Sequence, residues 1–246
     1  MEGTPVNKTN TNGYTIMFAV IMVVIVGSAL AFAATSLQPL QYENIRQEKM
    51  QNILATVGVE SDRAGAEKLY NQYITEEIVI NNEGEKVEGV NAFDIDLAKE
   101  LKKDPSEQNF PLYVASVDGG QFYIIPLRGS GLWNAIFGYV ALEDDVSTIK
   151  GVVFDHLGET PGLGAEITQV WFRERFAGES IMDDDGNFVG VSVVKGYSDT
   201  AKDDNKVDII SGATITSVGV SDMIQERLGH YLTYFQKGTD AEVANN

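Results

Sequence analysis

Residues 14–34 hold no charged side chain, and their apolar positions, Ile16, Met17, Phe18, 20–26, Leu30 and Phe32, leave no polar face. At about 1.5 Å of rise per residue, a helix of that length crosses the roughly 30 Å hydrocarbon layer of a bilayer. Beyond it the pattern turns amphipathic. After Pro39, residues 41–57 place Ile45, Ile53 and Leu54 on one side of a helix, and 64–73 continue in the same period. Segments 77–80 and 86–90 then flank Asn81-Asn82-Glu83-Gly84 as a hairpin pair. Further short strands are expected at 112–117, 121–126, 138–142, 149–154 and 189–195, with Asp118-Gly119-Gly120 and Asp184-Asp185-Gly186-Asn187 as turns. Residues 164–176 read as a helix with Ile167, Val170, Trp171 and Phe176 inward. A last helix over 217–236 sets Val220, Met223, Ile224, Leu228, Tyr231, Leu232 and Phe235 on one stripe. Strands in series with few helices predict an α+β fold with a mixed or antiparallel sheet rather than a doubly wound one. There is no internal repeat and no low-complexity tract.

This reading divides the chain into an arm (1–13), a transmembrane helix (14–34), a helical connector (35–75) and one α+β domain (76–246). Ala29-Leu30-Ala31 and Ala31-Phe32-Ala33 resemble signal-cleavage sites, but the apolar run exceeds a signal core, so the span is expected to be retained. Composition narrows the function. The formal net charge of −18 lies wholly beyond the span, since Glu2 and Lys8 cancel, and such a surface repels nucleic acid and anionic headgroups. Lys8 before the span and Arg46 and Lys49 after it do not settle its orientation. The chain has no cysteine, which removes disulfides, thiolate nucleophiles and cysteine-held clusters, so redox work requires an organic cofactor. Trp133, Trp171, Phe122 and Tyr123 are expected in the core, as large aromatics usually are.

Candidate chemistry concentrates in two places. The first is Asp208-Ile209-Ile210-Ser211-Gly212-Ala213-Thr214. Three small residues leave the backbone uncrowded beside one hydroxyl, and the helix that follows brings the positive end of its dipole to Thr214, a setting that suits a phosphate. Residues 211–217 also read as ordinary helix capping. The stretch resembles the flavinylation motif D-x-x-S/T-G-A-T, whose last residue carries FMN through a phosphoester, which makes Thr214 the candidate. The second place is His156-Leu157-Gly158-Glu159-Thr160-Pro161-Gly162-Leu163-Gly164-Ala165-Glu166, a binding loop between a strand-rich run and a helix. It lacks the G-x-G-x-x-G pattern of a dinucleotide site. Gly158 and Pro161 oppose the helix that a His156/Glu159 metal pair would need, and the other histidine, His230, lies in the last helix, so no metal is expected. A structural hydrogen bond for His156 and a solvent-facing carboxylate for Glu159 are the plain alternatives. No Ser-His-Asp set is present to act as a catalytic group.

Taken together, the span, Gly129-Ser130-Gly131-Leu132-Trp133, Gly138-Tyr139-Val140-Ala141-Leu142, the E-T-P-G-L-G loop and S-G-A-T make the chain similar to the C subunits of the Na+-translocating NADH:quinone reductases. The related G subunit of the Rnf electron-transport complex (ferredoxin:NAD) shares the last two elements and stands as the alternative. The resemblance implies FMN on Thr214, with Ser211, Gly212 and Ala213 around the phosphate and Thr160 and Leu163 against the ring. Asp208, Glu159, Gly162, Gly164, Leu132 and Trp133 complete the implied cofactor set. It also implies a single-pass protein of the bacterial inner membrane with its main domain periplasmic. A separate flavin transferase acting on FAD would attach the group, and other subunits would oxidise NADH, reduce quinone and move Na+. The span holds no ionisable residue to mark an ion path of its own. A reading from another class is a membrane-tethered module whose loop binds an anion or sugar noncovalently.

Overall fold

The computed structural model describes residues 12–197, 202 and 205–244, with side chains as far as residue 237, so most of the 1–13 arm lies outside the described residues. By its contacts the chain divides into Met1–Arg46 and Gln47–Asn246. In the first unit, helix α1 (Asn12–Thr56) runs on through Pro39, where a break and a separate connector helix are expected. Proline removes one N–H from the ladder, and the bonds on either side of the gap sustain a helix of this length. Among the described residues, α1 is the one helix long and apolar enough to cross a membrane.

The second unit opens with the last turns of α1, followed by α2 (Arg63–Tyr73), whose N-cap Asp62 accepts from the Gly65 N–H at 2.7 Å. Strand β1 (Ile74–Asn81) leads through short turns and α3 (Leu97–Glu100) to β2 (Asn109–Val117), β3 (Gly120–Ser130), β4 (Ala135–Leu142) and β5 (Ile149–His156). These five form an antiparallel meander in the order β1-β2-β3-β4-β5. After α4 (Val170–Arg173), β6 (Ser192–Val194) and β7 (Lys206–Asp208) pair in parallel, and α5 (Thr214–Ala244) closes the chain. The result is α+β, with one antiparallel and one small parallel sheet.

Both faces of the large sheet are covered, which is why β2 is a nearly unbroken apolar run. Phe110, Leu112 and Val114 pack toward α5 (Val220, Met223, Ile224, Leu228, Tyr231) and toward Ile167, Phe172 and Phe176. Tyr113 and Ala115 face the other way, against Met50, Ile53, Leu54 and Val57 at the end of α1 and Ala66 and Tyr70 of α2.

Four expectations are corrected. The helix over 164–176 is a 3-10 turn (Gly164–Thr168) and the short α4, separated by Gln169 in an extended conformation (φ −73°, ψ 143°). That break rotates the residues after it, so Phe172 is buried while Val170 and Trp171 are exposed. Residues 86–90 form no strand; Lys86 alone makes a bridge to Ile80, and the turn is held by the Asn81 carboxamide accepting from the Glu83 and Glu85 N–H groups. The strand expected at 189–195 shortens to β6. Trp133 is 69 % exposed, so of the expected core aromatics Phe122 is buried and Tyr123 partly so, while both tryptophans lie at the surface.

Candidate functional site

The start of α5, the loop after β5 and the β3–β4 loop converge on one open groove. It is lined by Leu132, Glu159, Thr160, Leu163, Gly164, Gly212, Ala213, Thr214, Ile215 and Thr216. Its walls are therefore mostly aliphatic, with hydroxyls and backbone at one end.

The approach to α5 explains that end. The Ala213 N–H donates to Ile210 O at 3.0 Å and the Ser217 N–H to Ala213 O at 2.9 Å, which places Ala213 at the N-cap and Thr214 at the first helical position. Gly212 precedes it with φ +79°, a left-handed conformation that glycine adopts without a Cβ penalty; a Cβ there would meet Leu163 Cδ2 at 2.8 Å. The first N–H groups of a helix have no intrahelical partner, and a capping Ser, Thr, Asp or Asn normally receives one of them. Alanine has no side-chain oxygen to do so. The first turn of α5 also contains no acidic residue. Ser217 serves the turn from inside, its hydroxyl accepting the Ile210 N–H at 3.3 Å.

The loop after β5 is closed by its own bonds. The Leu163 and Ala165 N–H groups both donate to Thr160 O at 3.1 Å, and the Gly162 N–H donates to Glu166 Oε1 at 3.0 Å. Leu163 is left 41 % exposed over Gly212. Glu159 points inward and is 5 % exposed, not the solvent-facing carboxylate of the plain alternative. Its Oε1 accepts the Trp133 N–H at 2.9 Å and the Asn134 N–H at 3.4 Å, and its Oε2 accepts the Thr216 hydroxyl at 2.6 Å. Burial on its own raises this carboxyl, but the hydroxyl and the two N–H groups outweigh it and hold it below the ordinary glutamate range, ionised at neutral pH. His156 Nδ1 accepts the Glu159 N–H at 3.1 Å, the structural bond read as one of its alternatives.

The groove thus brings together Thr214, Gly212, Ala213, Glu159, Thr160, Leu163, Gly164 and Leu132. Trp133 lies beside it and contributes its backbone N–H to Glu159. Gly162 and Ser211 are exposed at its margins. Asp208 sits at the end of β7, where its Oδ1 accepts the Ile209 N–H at 2.9 Å and its Oδ2 lies 3.9 Å from Arg175 Nη1. Ile215 and Thr216 line the groove without having been anticipated; a hydroxyl two residues beyond Thr214 was the only signal. Leu132, Leu163 and Ile215 offer apolar surface for the face of a flat ring, and the uncapped first turn at the exposed Thr214 offers backbone N–H groups for a phosphate, so these residues suit a flavin nucleotide.

Residues 131–229, which contain every wall of the groove, match the family described as FMN-binding domain. Fold and site therefore define a flavin-binding α+β protein. The chain is similar to the C subunit of the Na(+)-translocating NADH-quinone reductase of Pseudomonas aeruginosa, at 31 % identity covering 94 % of each chain. The corresponding subunit of Haemophilus ducreyi is 30 % identical over 94 % of this chain and 96 % of its own. The crystal structure of the C subunit from Parabacteroides distasonis superposes with a TM-score of 0.72 at 42 % identity, covering 80 % of this chain and 96 % of that one. NqrC of Shewanella oneidensis gives 0.68 at 28 %, covering 78 % and 96 %. The chain belongs to the family of C subunits of the Na+-translocating NADH-quinone reductases, whose members are parts of an oxidoreductase complex.

Proposed function

We propose that this chain is the membrane-anchored, FMN-carrying subunit of a Na+-translocating NADH:quinone reductase, with the flavin esterified through its phosphate to Thr214. The observation that carries the reading is an exposed threonine at the first position of a helix whose cap is alanine, facing an apolar groove. FMN supplies the one-electron chemistry that a chain without cysteine lacks. The chain's own residues hold it. Thr214 provides the ester oxygen; the backbone of residues 211–213 and the α5 dipole stabilise the phosphate charge. Thr160, Leu163 and Leu132 bound the ring and restrict water, with Gly162 and Gly164 allowing the loop to turn closely around it. Trp133, beside the groove, would cover the flavin from the solvent side, and Asp208 holds the start of the motif in place through Arg175.

Attachment falls to a separate flavin transferase using FAD. Thr214 Oγ bonds to the flavin-side phosphorus, the pyrophosphate bond breaks, AMP departs, and the hydroxyl proton passes to the transferase. Residues 14–34 anchor the protein in the inner membrane, the helix runs on past residue 46, and residues 47–246 form the domain that binds flavin on the periplasmic side. Na+ translocation belongs to the other subunits, because the span offers no ionisable group, and NADH oxidation and quinone reduction are assigned to them as well.

Expressed with a flavin transferase, the wild type should fluoresce in a denaturing gel and gain the mass of one FMN phosphoryl unit, and Thr214→Ser should test whether the hydroxyl suffices. Thr214→Ala should gain neither signal. Covalent flavin on Thr214→Ala would exclude this attachment site.

A further inference from the structure

Two threonines lie in the first turn of α5, and the fold treats them oppositely. Thr214 is exposed, whereas Thr216 is 1 % exposed and its hydroxyl donates a hydrogen bond to Glu159 across 57 residues of sequence. The same carboxylate receives the Trp133 and Asn134 N–H groups from the β3–β4 loop. Its own backbone N–H is fixed by His156. One buried anion thereby joins all three walls of the groove. Two glycines make the space for it: a Cβ on Gly131 would come within 2.5 Å of Glu159 Oε1, and one on Gly164 would collide with Oε2 and with the Thr216 hydroxyl.

We propose that Glu159 is a positioning residue, which clamps the three walls of the flavin groove and, by engaging Thr216, sets the rotation of the first turn of α5 so that Thr214 is presented for modification. This rests on the reading that Thr214 carries FMN. Residues two apart on a helix are about 200° apart around its axis, so drawing Thr216 inward turns Thr214 outward. Hydrogen bonds to an ionised, buried carboxylate are stronger than neutral ones, and losing one leaves charge uncompensated in the interior. Both oxygens of Glu159 are engaged by protein donors, which makes it a support of the groove rather than a ligand of the ring.

The test uses the full-length chain, purified without flavin in detergent, with purified flavin transferase and FAD. Incorporation is followed by intact mass, the attachment site by peptide mapping, and folding by thermal melting. Thr216→Ser keeps the hydroxyl and should mature at the wild-type rate. Thr216→Val replaces it by a methyl of similar shape and should mature about tenfold more slowly while still melting cooperatively, the factor set by one hydrogen bond to a charged group. Glu159→Gln keeps the shape but loses the charge that strengthens these bonds, so it should slow maturation together with the shorter Glu159→Asp and Thr216→Val. Equal rates in Thr216→Val and wild type overturn the proposal. So does equal slowing in Thr216→Ser and Thr216→Val, and so does loss of cooperative melting in Thr216→Val, since either makes the contact a general packing bond. A wild type that takes up no flavin overturns the Thr214 reading and this inference with it; a flavinylated wild type with unaffected variants overturns this inference alone.

Discussion

Glu159 illustrates how a buried carboxylate becomes compatible with a protein interior: two backbone N–H groups and a hydroxyl replace the water it gave up. Because its folded pKa is depressed, the stabilisation it provides is complete above its unfolded value of about 4.3 and disappears as pH falls through the lower folded value. Thermal midpoints of wild type and Glu159→Gln measured from neutral pH downward should therefore begin to draw together below about pH 4.3 and converge once the pH has passed the lower folded value. A constant difference would show that ionisation is not what matters there. Thr214, the flanking small residues and the E-T-P-G-L-G loop were legible in the sequence, because small residues, glycines and a hydroxyl in fixed order are a local signal. The inward course of Glu159 and its tie to Thr216 were not, since that contact joins distant segments and depends on how loops cross the sheet. Trp133 misled for a related reason: its size points to the core, but a tight β3–β4 turn, with the Gly131 N–H bonded to Asn134 O, turns it out.

Helix α1 meets the domain through a lysine as well as through its apolar turns. Lys49 Nζ donates to Phe93 O at 2.5 Å and lies 4.6 Å from the centre of the Phe93 ring. Burial lowers its pKa from 10.5 to about 8, against the opposing pull of Glu77, Asp94 and Asp96. The unfolded chain then binds this proton where the folded one has released it, so stability contributed at this site should rise between about pH 8 and pH 10. Urea unfolding across that window should show the rise in wild type and its loss in Lys49→Met; a slope unchanged by the substitution would assign it to other groups. The elements themselves were readable to differing degrees. Strands β2 to β5 announce themselves as apolar runs separated by short polar or glycine-bearing turns, and α5 as a continuous stripe. The segment 164–176 was misread because a 3.6-residue period was extended through Gln169, and β7 was missed because three residues carry no period at all.

The division at Arg46/Gln47 assigns the last turns of α1 to the domain and not to the span. Ile53 and Leu54 are fully buried there, and losing such side chains costs about 2–5 kcal/mol each, against a total stability of about 5–15 kcal/mol. A chain of residues 47–246 should accordingly be soluble and melt cooperatively, while one of residues 59–246 should not, as circular dichroism would show. Failure of the longer fragment to fold would place essential contacts inside the first unit. The alanine at the head of α5 has a consequence for the life of the protein. With the proposed attachment at Thr214, a helix that starts without a cap of its own would be completed only by the group arriving there, so that maturation and consolidation of the last structural layer would become a single event.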